Sequence, residues 1–237
     1  MNGEDRGSSG SLLVSVIVAT LDEQAQLPAL LDHLEALPGA WEVILADGGS
    51  RDRTAAIATQ RGVGLVAPGG GRAQQLNAAA AAAGGELLLF LHADSRLPPG
   101  AHTSLAAAAS SDASIVGGNF ALRFDGGDRF ARVLTAAYAL QRRFGVYYGD
   151  SSIWVSRAAF DCLGGYRDLP IMDDYDFVRR LEASGRTVCL PGPARTSDRR
   201  WRRVGVARTL LTWWVIRFAF LAGVSPAWLA RLYRRVR

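Results

Sequence analysis

The amino-acid sequence predicts an α/β fold, with a single doubly wound and mostly parallel sheet followed by helices at the C-terminal end. Three observations lead to this prediction. Short apolar runs alternate with segments of helical periodicity, the connections between them are tight, and polar clusters follow the apolar runs. This alternation is typical of parallel strands joined by crossover helices.

Strands and helices are predicted to alternate along the first half of the chain. Residues 13–19 are rich in β-branched side chains and end at a polar cluster, which is typical of a buried strand. Leucines at helical spacing run from Leu27 to Leu37, and Pro38-Gly39 ends that helix. The pattern then repeats, with strands predicted at residues 43–46, 63–66 and 87–91 and helices at residues 52–61 and 72–83.

The second half of the chain is less regular. It is predicted to contain a strand at 115–124, helices at 130–144 and 173–184, a short helix that begins with residues 156–160 and is closed by Gly164-Gly165, and a mixed aromatic and polar stretch at 147–154. We therefore expect a loose polar tail, one domain with a nucleotide-binding half and an acceptor-binding half, and an apolar and basic helical segment. Their bounds are residues 1–11, residues 12–203 (halves 12–96 and 97–203) and residues 204–237.

The composition fits a folded protein of the cytoplasm. Hydrophobic residues make up 49% of the chain and charged residues 21%, which excludes a disordered protein. Cys162 and Cys189 lie far apart and form no CxxC pair, so both are expected to be reduced. All 27 basic residues are arginine, and the net charge of +5 suits an anionic ligand or a membrane surface. Because the arginines form no stripe on one element, nucleic acid is not an expected partner.

Polar clusters follow three of the predicted strands, at residues 20–23, 47–50 and 92–95. Ligands of doubly wound sheets bind at this carboxyl edge. Asp94 follows a fully apolar strand, so its carboxylate is either a ligand for Mg²⁺ or Mn²⁺ that bridges two donor phosphates, or a turn residue. Asp47 precedes two glycines, and its carboxylate is either an acceptor for the imide of a uracil base or part of a tight turn.

Arg72 opens a predicted helix directly after three glycines. Backbone N–H groups and a guanidinium at a helix start suit an anionic phosphate, although the run lacks the Gly-Lys-Ser/Thr of a P-loop. Asn77 lies on the same helix and joins Arg72 as a donor-binding candidate. The alternative is a flexible loop with a solvated arginine.

Asp173 and Asp174 stand side by side at the start of the helix predicted at 173–184, with Asp176 close behind. A carboxylate that faces an acceptor hydroxyl can take its proton during transfer, and mutual repulsion raises the pKa of one member of such a pair. The alternative is helix capping alone. The arginine-rich run 199–203 is either a clamp for a diphosphate or a basic surface loop.

The order of these motifs resembles the family 2 inverting glycosyltransferases, whose GT-A fold is a Rossmann-like, doubly wound sheet. The motifs are Thr-Leu-Asp-Glu, Asp-Gly-Gly-Ser-Arg-Asp-Arg-Thr, Gly-Arg-Ala-Gln-Gln-Leu-Asn, Phe-Leu-His-Ala-Asp-Ser and Met-Asp-Asp-Tyr-Asp-Phe. The resemblance covers residues 12–203 and is greatest to a bacterial subgroup associated with arsenosugar biosynthesis. It implies transfer of a sugar from a nucleoside-diphosphate sugar, expected to be a UDP-sugar, to an acceptor hydroxyl with inversion and with a divalent cation as cofactor.

The resemblance also implies roles for individual residues. It implies donor contacts for eight of them: Thr20, Asp22, Glu23, Asp47, Arg72, Asn77, Arg200 and Trp201. It implies that Asp94 is the metal ligand. It further implies that Asp174, the second member of the Asp173-Asp174 pair, is the general base.

Three positions depart from the family pattern. His92 stands for the first acid of the metal motif, Gly48 for the second acid after strand two, and Ser197 for a glutamine. The first two departures leave open a non-catalytic protein that binds nucleotide sugars. The similar sheet and the Gly-rich loop leave open a sugar-nucleotide nucleotidyltransferase.

Residues 204–224 are apolar and aromatic, but Arg208 and Arg217 interrupt them and an arginine-rich end follows. A charge at mid-length disfavours a bilayer span. We expect either an interfacial helix whose arginines meet lipid headgroups or a helix packed on the domain or a partner. The expected partners are thus a nucleotide-sugar donor, a small-molecule or lipid acceptor, and the inner face of the membrane, contacted peripherally through 204–237.

Overall fold

The computed structural model describes residues 12–126, 128–197 and 205–236. The described residues form seven strands in one sheet: β1 (Leu13–Thr20), β2 (Ala40–Asp47), β3 (Gly64–Val66), β4 (Leu87–His92), β5 (Ile115–Phe124), β6 (Ile153–Ser156) and β7 (Arg186–Thr196). Their order across the sheet is β3-β2-β1-β4-β6-β5-β7. Strand β6 pairs antiparallel with both of its neighbours, and the other pairs are parallel.

Helices connect the strands and cover both faces of the sheet. They are α1 (Leu27–Glu35), α2 (Thr54–Gln60), α3 (Arg72–Ala82), α4 (Ala101–Ser111), α5 (Arg129–Arg142), α6 (Arg157–Cys162), α7 (Asp173–Ser184), α8 (Val206–Leu221) and α9 (Pro226–Val236). A short 3₁₀ turn, Gly149–Ser151, precedes β6. Among the residues described, no helix is both long enough and apolar enough to cross a bilayer.

Two apolar clusters form the core on the two faces of the sheet. Alternate side chains of β4 belong to different clusters: Leu87, Leu89 and Leu91 to one, Leu88 and Phe90 to the other. Helices α1 and α4 contribute to the first cluster, and α3, α6 and α7 contribute to the second. Because successive side chains of a strand point to opposite faces, β4 is buried on both sides, which explains its continuous apolar run.

The predicted α/β fold with a mostly parallel sheet is confirmed. The strand predicted at 115–124 and the helix predicted at 173–184 have the predicted bounds, and the strands and helices of the first half differ by a few residues. Helix α4 and strands β6 and β7 are absent from the sequence prediction. Strand β7 contains Pro191 and Pro193, which donate no backbone hydrogen bond, and the strand is tolerated because it lies at an edge of the sheet.

Candidate active site

The loops after β1 and β2 meet at the carboxyl edge of the sheet. Thr20 pairs with Asp47 in the strand register, and the backbone N–H of Gly48 donates to the carbonyl of Thr20 at 2.8 Å. The Asp47 carboxylate is buried and accepts bonds from the N–H of Gly49 (3.0 Å), the N–H of Ser50 (2.9 Å) and the hydroxyl of Thr20 (3.3 Å). The Ser50 hydroxyl is a fourth donor. A carboxylate has about four acceptor positions, and these four donors fill those of Asp47. Asp47 therefore holds its own loop in place.

Asp22 and Glu23 join the same two loops further out. The N–H of Arg51 donates to the Asp22 carboxylate at 2.8 Å, and the N–H of Asp22 donates to the Ser50 hydroxyl at 2.9 Å. The N–H of Glu23 donates to the Thr54 hydroxyl at 2.9 Å. We call residues 20–24 and 47–54 the donor-side loops. Their polar groups hold each other in place, so these loops form a preorganised rim above β1 and β2.

Arg72, the first residue of α3, reaches across to α7. Its Nη1 donates to Oδ2 of Asp173 at 2.6 Å, and its Nη2 lies 3.3 Å from Nε2 of His92 at the end of β4. A guanidinium only donates hydrogen bonds, so His92 Nε2 must be the acceptor in this contact, which assigns the ring proton to Nδ1. Burial lowers the pKa of Arg72, but the carboxylates of Asp173 and Asp174 outweigh this effect and raise it above its ordinary value.

Asp173 and Asp174 form the first turn of α7, where the helix dipole favours negative charge. Asp173 is only 7% exposed, and burial raises its pKa; the charge of Arg72 opposes this rise and that of Asp174 adds to it. Asp174 is half-buried and accepts the N–H of Gly149 at 2.9 Å on one oxygen and its neighbour's N–H at 2.8 Å on the other. Each oxygen of Asp174 therefore keeps acceptor capacity for a further hydrogen.

Gly149 lies where these groups converge. A Cβ atom on this glycine would lie 3.1 Å from Arg72 Nη2, 3.1 Å from His92 Nε2 and 3.2 Å from Asp174 Oδ2. The start of α3, the end of β4, the 3₁₀ turn and the start of α7 thus meet at one point. We call Arg72, His92, Gly149, Asp173 and Asp174 the Arg72 cluster.

Asp94 lies two residues beyond β4, in a turn closed by the bond from Ser95 N–H to His92 O at 3.0 Å. Its carboxylate is half-buried and acts on Arg96, whose pKa burial lowers and Asp94 partly restores. Within the described ranges, no three His, Cys, Asp or Glu side chains come together as a metal site. One carboxylate beside a diphosphate nevertheless fits Mg²⁺ or Mn²⁺, because such ions are commonly bound by one or two carboxylates and substrate phosphates.

Two other predicted residues have structural partners. Asn77 exchanges two hydrogen bonds with the backbone of Tyr166, both at 2.8 Å, and so ties α3 to the loop before α7. Asp176 pairs with Arg180 at 2.8 Å and with Arg167 at 3.2 Å. Arg200 and Trp201 lie outside the described residues, as do residues 1–11.

Sequence reasoning missed the residues that frame Asp174. Tyr148 precedes Gly149 and stacks on Tyr175 at 5.5 Å between ring centroids. Burial raises the pKa of Tyr148 to about 12, so its hydroxyl stays protonated at neutral pH. Beyond this turn, a cavity of about 430 Å³ lies between α5, β5 and β7, with Ser151 in its wall. The aromatic stretch 147–154 was the only sequence signal for this region.

Comparison with known proteins defines the class. The model of glycosyl transferase family 2 matches residues 15–167, and the chain belongs to this family. Curated relatives include undecaprenyl-phosphate 4-deoxy-4-formamido-L-arabinose transferase of Pseudomonas aeruginosa, 35% identical over 150 residues. That match covers 58% of this chain and 44% of the relative, so the chain aligns with less than half of the relative's length.

Solved structures share the fold. S. aureus TarS 1-349 in complex with UDP-GlcNAc has a TM-score of 0.65 at 18% identity, over 79% of this chain and 59% of TarS. The mannosyltransferase PcManGT from Pyrobaculum calidifontis, in complex with GDP-Man and Mn²⁺, has a TM-score of 0.59 at 20% identity over 78% of this chain and 56% of its own. Glucosyl-3-phosphoglycerate synthase from Mycobacterium tuberculosis, in complex with Mn²⁺ and UDP, has a TM-score of 0.54 at 23% identity, over 86% and 80%. Family and fold together identify a family 2 glycosyltransferase domain, which favours a transferase over the nucleotidyltransferase and the non-catalytic binder.

Proposed function

We propose that this enzyme transfers a sugar from a UDP-sugar to an acceptor hydroxyl with inversion of the anomeric carbon. The observation that carries the proposal is the Arg72 cluster. It brings a half-buried cation and a half-buried carboxylate to one point at the carboxyl edge of the sheet, and His92 of the cluster lies two residues before Asp94 along the chain. A cation to meet the donor phosphates and a base to meet the acceptor are the two groups that this reaction needs.

In this proposal the donor lies across the strand ends. Its base lies at the donor-side loops, which Asp47 shapes together with Thr20, Asp22 and Glu23, and its diphosphate lies near Arg72. Binding of UDP-GlcNAc by TarS and of UDP by the glucosyl-3-phosphoglycerate synthase supports a uridine donor. Asn77 supports the donor segment through the backbone of Tyr166, and Arg200 and Trp201 remain predicted donor contacts.

Asp94 would hold the divalent cation, with the phosphate oxygens of the donor as further ligands. The bound cation supplies charge stabilisation to the departing diphosphate. The Mn²⁺ in the PcManGT complex supports this choice. Arg72 adds a fixed positive charge beside the same edge, and the Asp173 carboxylate holds its guanidinium in place.

In the reaction the acceptor hydroxyl gives its proton to Asp174 as its oxygen bonds to the anomeric carbon. The bond from that carbon to the phosphate oxygen breaks on the opposite face, and the electron pair leaves with the nucleoside diphosphate. The N–H groups of Gly149 and Tyr175 keep the Asp174 carboxylate oriented throughout. Asp173 acts through Arg72 and through its charge on Asp174.

The acceptor class is proposed from the names of the relatives. The relatives are named for transfer that involves undecaprenyl phosphate, which favours a lipid acceptor over a small soluble one; in the reaction proposed here that lipid presents a hydroxyl, the group that Asp174 deprotonates, in place of the phosphate of the relatives' name. With a lipid acceptor, residues 204–237 would contact the inner face of the membrane peripherally from the cytoplasm. Membership of the arsenosugar-associated subgroup stays a prediction.

A transfer assay on Asp94→Ala and Asp174→Asn tests the proposal. Each variant should lose on the order of 100-fold or more in turnover. Asp174→Asn should still show a thermal shift with UDP-sugar and Mn²⁺, whereas Asp94→Ala should lose the Mn²⁺-dependent part of that shift. The matched control is Asp161→Asn, an exposed carboxylate on α6. Near-normal turnover in either site variant would refute the role assigned to that residue.

A further inference from the structure

Helix α8 carries a row of apolar side chains on the face that points away from the domain. We call this face the outward stripe: Leu211, Trp214, Val215, Phe218 and Leu221, which are 44–66% exposed. Their spacing of three and four residues places them on one side of the helix. The opposite side packs on the domain through buried Ile216 and through Leu210, Trp213 and Phe220, and it also carries Thr209 and Arg217. The helix is therefore apolar on both sides, and a contiguous apolar patch left exposed in this way marks an interaction surface.

The C-terminal part of the chain has a strongly asymmetric charge. Residues 199–237 contain ten arginines and no acidic residue, whereas residues 1–198 contain 17 arginines and 22 acidic residues. Arg208 is exposed one helical turn before the outward stripe. On α9, Trp228 is 49% exposed and Arg231 is exposed three residues later. Exposed aromatic and apolar side chains framed by arginines complement an anionic lipid surface.

The inner side of α8 rests on the two tyrosines that frame Asp174. Arg217 donates to the side-chain oxygen of Gln141 on α5 at 2.9 Å, and its guanidinium lies 5.7 Å from the ring centroid of Tyr175. The ring of Phe220 lies 6.1 Å from that of Tyr175. Tyr175 follows Asp174 in α7 and stacks on Tyr148. The inner side of α8 therefore contacts Tyr175, the residue that follows Asp174.

We propose that the outward stripe of α8 docks in the interface of an anionic phospholipid bilayer. The helix lies parallel to the membrane plane, because its other side is occupied by α5 and Tyr175. Trp214 and Trp228 lie at the level of the headgroups, and Arg208 and Arg231 contact lipid phosphates. Docking then brings the active site to the headgroup layer, where a lipid acceptor presents its reactive oxygen; this last step rests on the proposed function, and the docking does not.

Co-sedimentation of the full chain with vesicles tests the docking. The chain should bind vesicles of phosphatidylglycerol mixed with phosphatidylcholine, bind pure phosphatidylcholine less, and lose affinity as salt rises. Phe218→Glu should weaken binding on the order of tenfold or more, because it removes an inserted ring and adds a charge of the wrong sign. The matched control is Leu65→Glu, which makes the same charge change at the opposite edge of the sheet on a 38% exposed residue.

Equal binding of wild type and Phe218→Glu would overturn the proposal. The proposal would also be overturned if the wild type did not bind vesicles but formed a dimer, and if Phe218→Glu dissociated that dimer. A second copy of the chain would then cover the stripe. Trp214→Ser is a second variant that must show the same loss, and melting curves show that both variants are folded.

The two proposals fail separately. Phe218→Glu should keep the thermal shift with UDP-sugar and the turnover with a water-soluble acceptor, because it touches no residue of the Arg72 cluster. A chain that docks through the stripe but never transfers sugar supports the docking and overturns the enzyme mechanism.

Discussion

The two parts of the candidate site are held together in different ways. In the donor-side loops, Asp47 bonds to groups two and three residues away and to Thr20 on the adjacent strand. In the Arg72 cluster, one ion pair joins residues 101 positions apart, and a bond from the 3₁₀ turn joins residues 25 apart. The first part depends on two neighbouring strands, whereas the second forms only when the whole sheet is assembled. The second part should therefore respond more strongly to single substitutions.

Arg72→Met should give the largest effect. It leaves the Asp173 carboxylate buried without its cationic partner, which costs about 3 kcal/mol in the free energy of unfolding, the lower end for a broken buried ion pair. Turnover should fall on the order of 100-fold, because a fixed positive charge beside the diphosphate is lost. Urea unfolding and a transfer assay measure the two effects. Arg72→Lys keeps the charge and should lose less of both; a methionine variant with wild-type stability would contradict the assigned ion pair.

Gly149→Ala comes next, with turnover expected to fall about tenfold and a cost of about 1–2 kcal/mol in unfolding free energy. The added methyl would crowd Arg72, His92 and Asp174 and push Asp174, the proposed general base, from its position. Gly100→Ala is the matched control, because a Cβ there meets no atom within 4 Å. If both alanine variants turn over equally fast, the 3₁₀ turn does not frame the base.

Asp47→Ala should act mainly on stability. It removes the acceptor for the N–H groups of Gly49 and Ser50 and should cost about 2 kcal/mol, with a smaller cost for Asp47→Asn. Chemical denaturation measures the change. Asp112→Ala, which removes a half-buried carboxylate bonded to one backbone N–H and to the exposed Arg186, should move the unfolding midpoint less. A loss of turnover far beyond the loss of folded protein would show that Asp47 also contacts the donor.

The smallest effect should be a pH dependence of stability. Burial raises the pKa of Asp173 in the folded state above its ordinary value of 3.8, so the folded protein holds this proton more tightly than the unfolded chain. This stabilising contribution is complete below the unfolded pKa and is lost as the pH rises through the folded pKa. Asp173→Asn has no such proton, so its melting temperature should gain on that of the wild type as the pH rises above the ordinary value of 3.8. Parallel melting curves across this range would contradict the raised pKa.

The fold was largely predictable because the strands and helices of the first half each have a local sequence pattern. Apolar runs and helical spacing identify β1 to β4 and the helices between them, and the strand ends identify the edge where ligands bind. Helix α4 has no clear apolar face, since five of its eleven residues are alanine. Strand β6 has only four residues, the first two of which end the aromatic stretch 147–154, and β7 is interrupted by prolines. Such segments become strands through pairing, which sequence patterns do not reveal.

The sequence identified candidate residues of the site, but it did not indicate which of them contact each other. Arg72 and Asp173 were both candidates, but no local signal indicates that one holds the other. The meeting of Gly149 with His92 depends on β6, whose pairing with β4 brings the 3₁₀ turn to the strand end. Contacts between distant positions follow from topology, so the roles of Tyr148 and Gly149 emerged only from the structure.

The position of β6 has a consequence for dissecting the protein. Because β6 lies between β4 and β5, a strand from the later half is inserted at the middle of the sheet. A fragment that stops at residue 96 would leave the fully apolar strand β4 as an open edge, which invites intermolecular strand pairing. Residues 12–96 and the strands that follow share one sheet, so we expect neither region to be excised or exchanged as a module by cutting at that boundary.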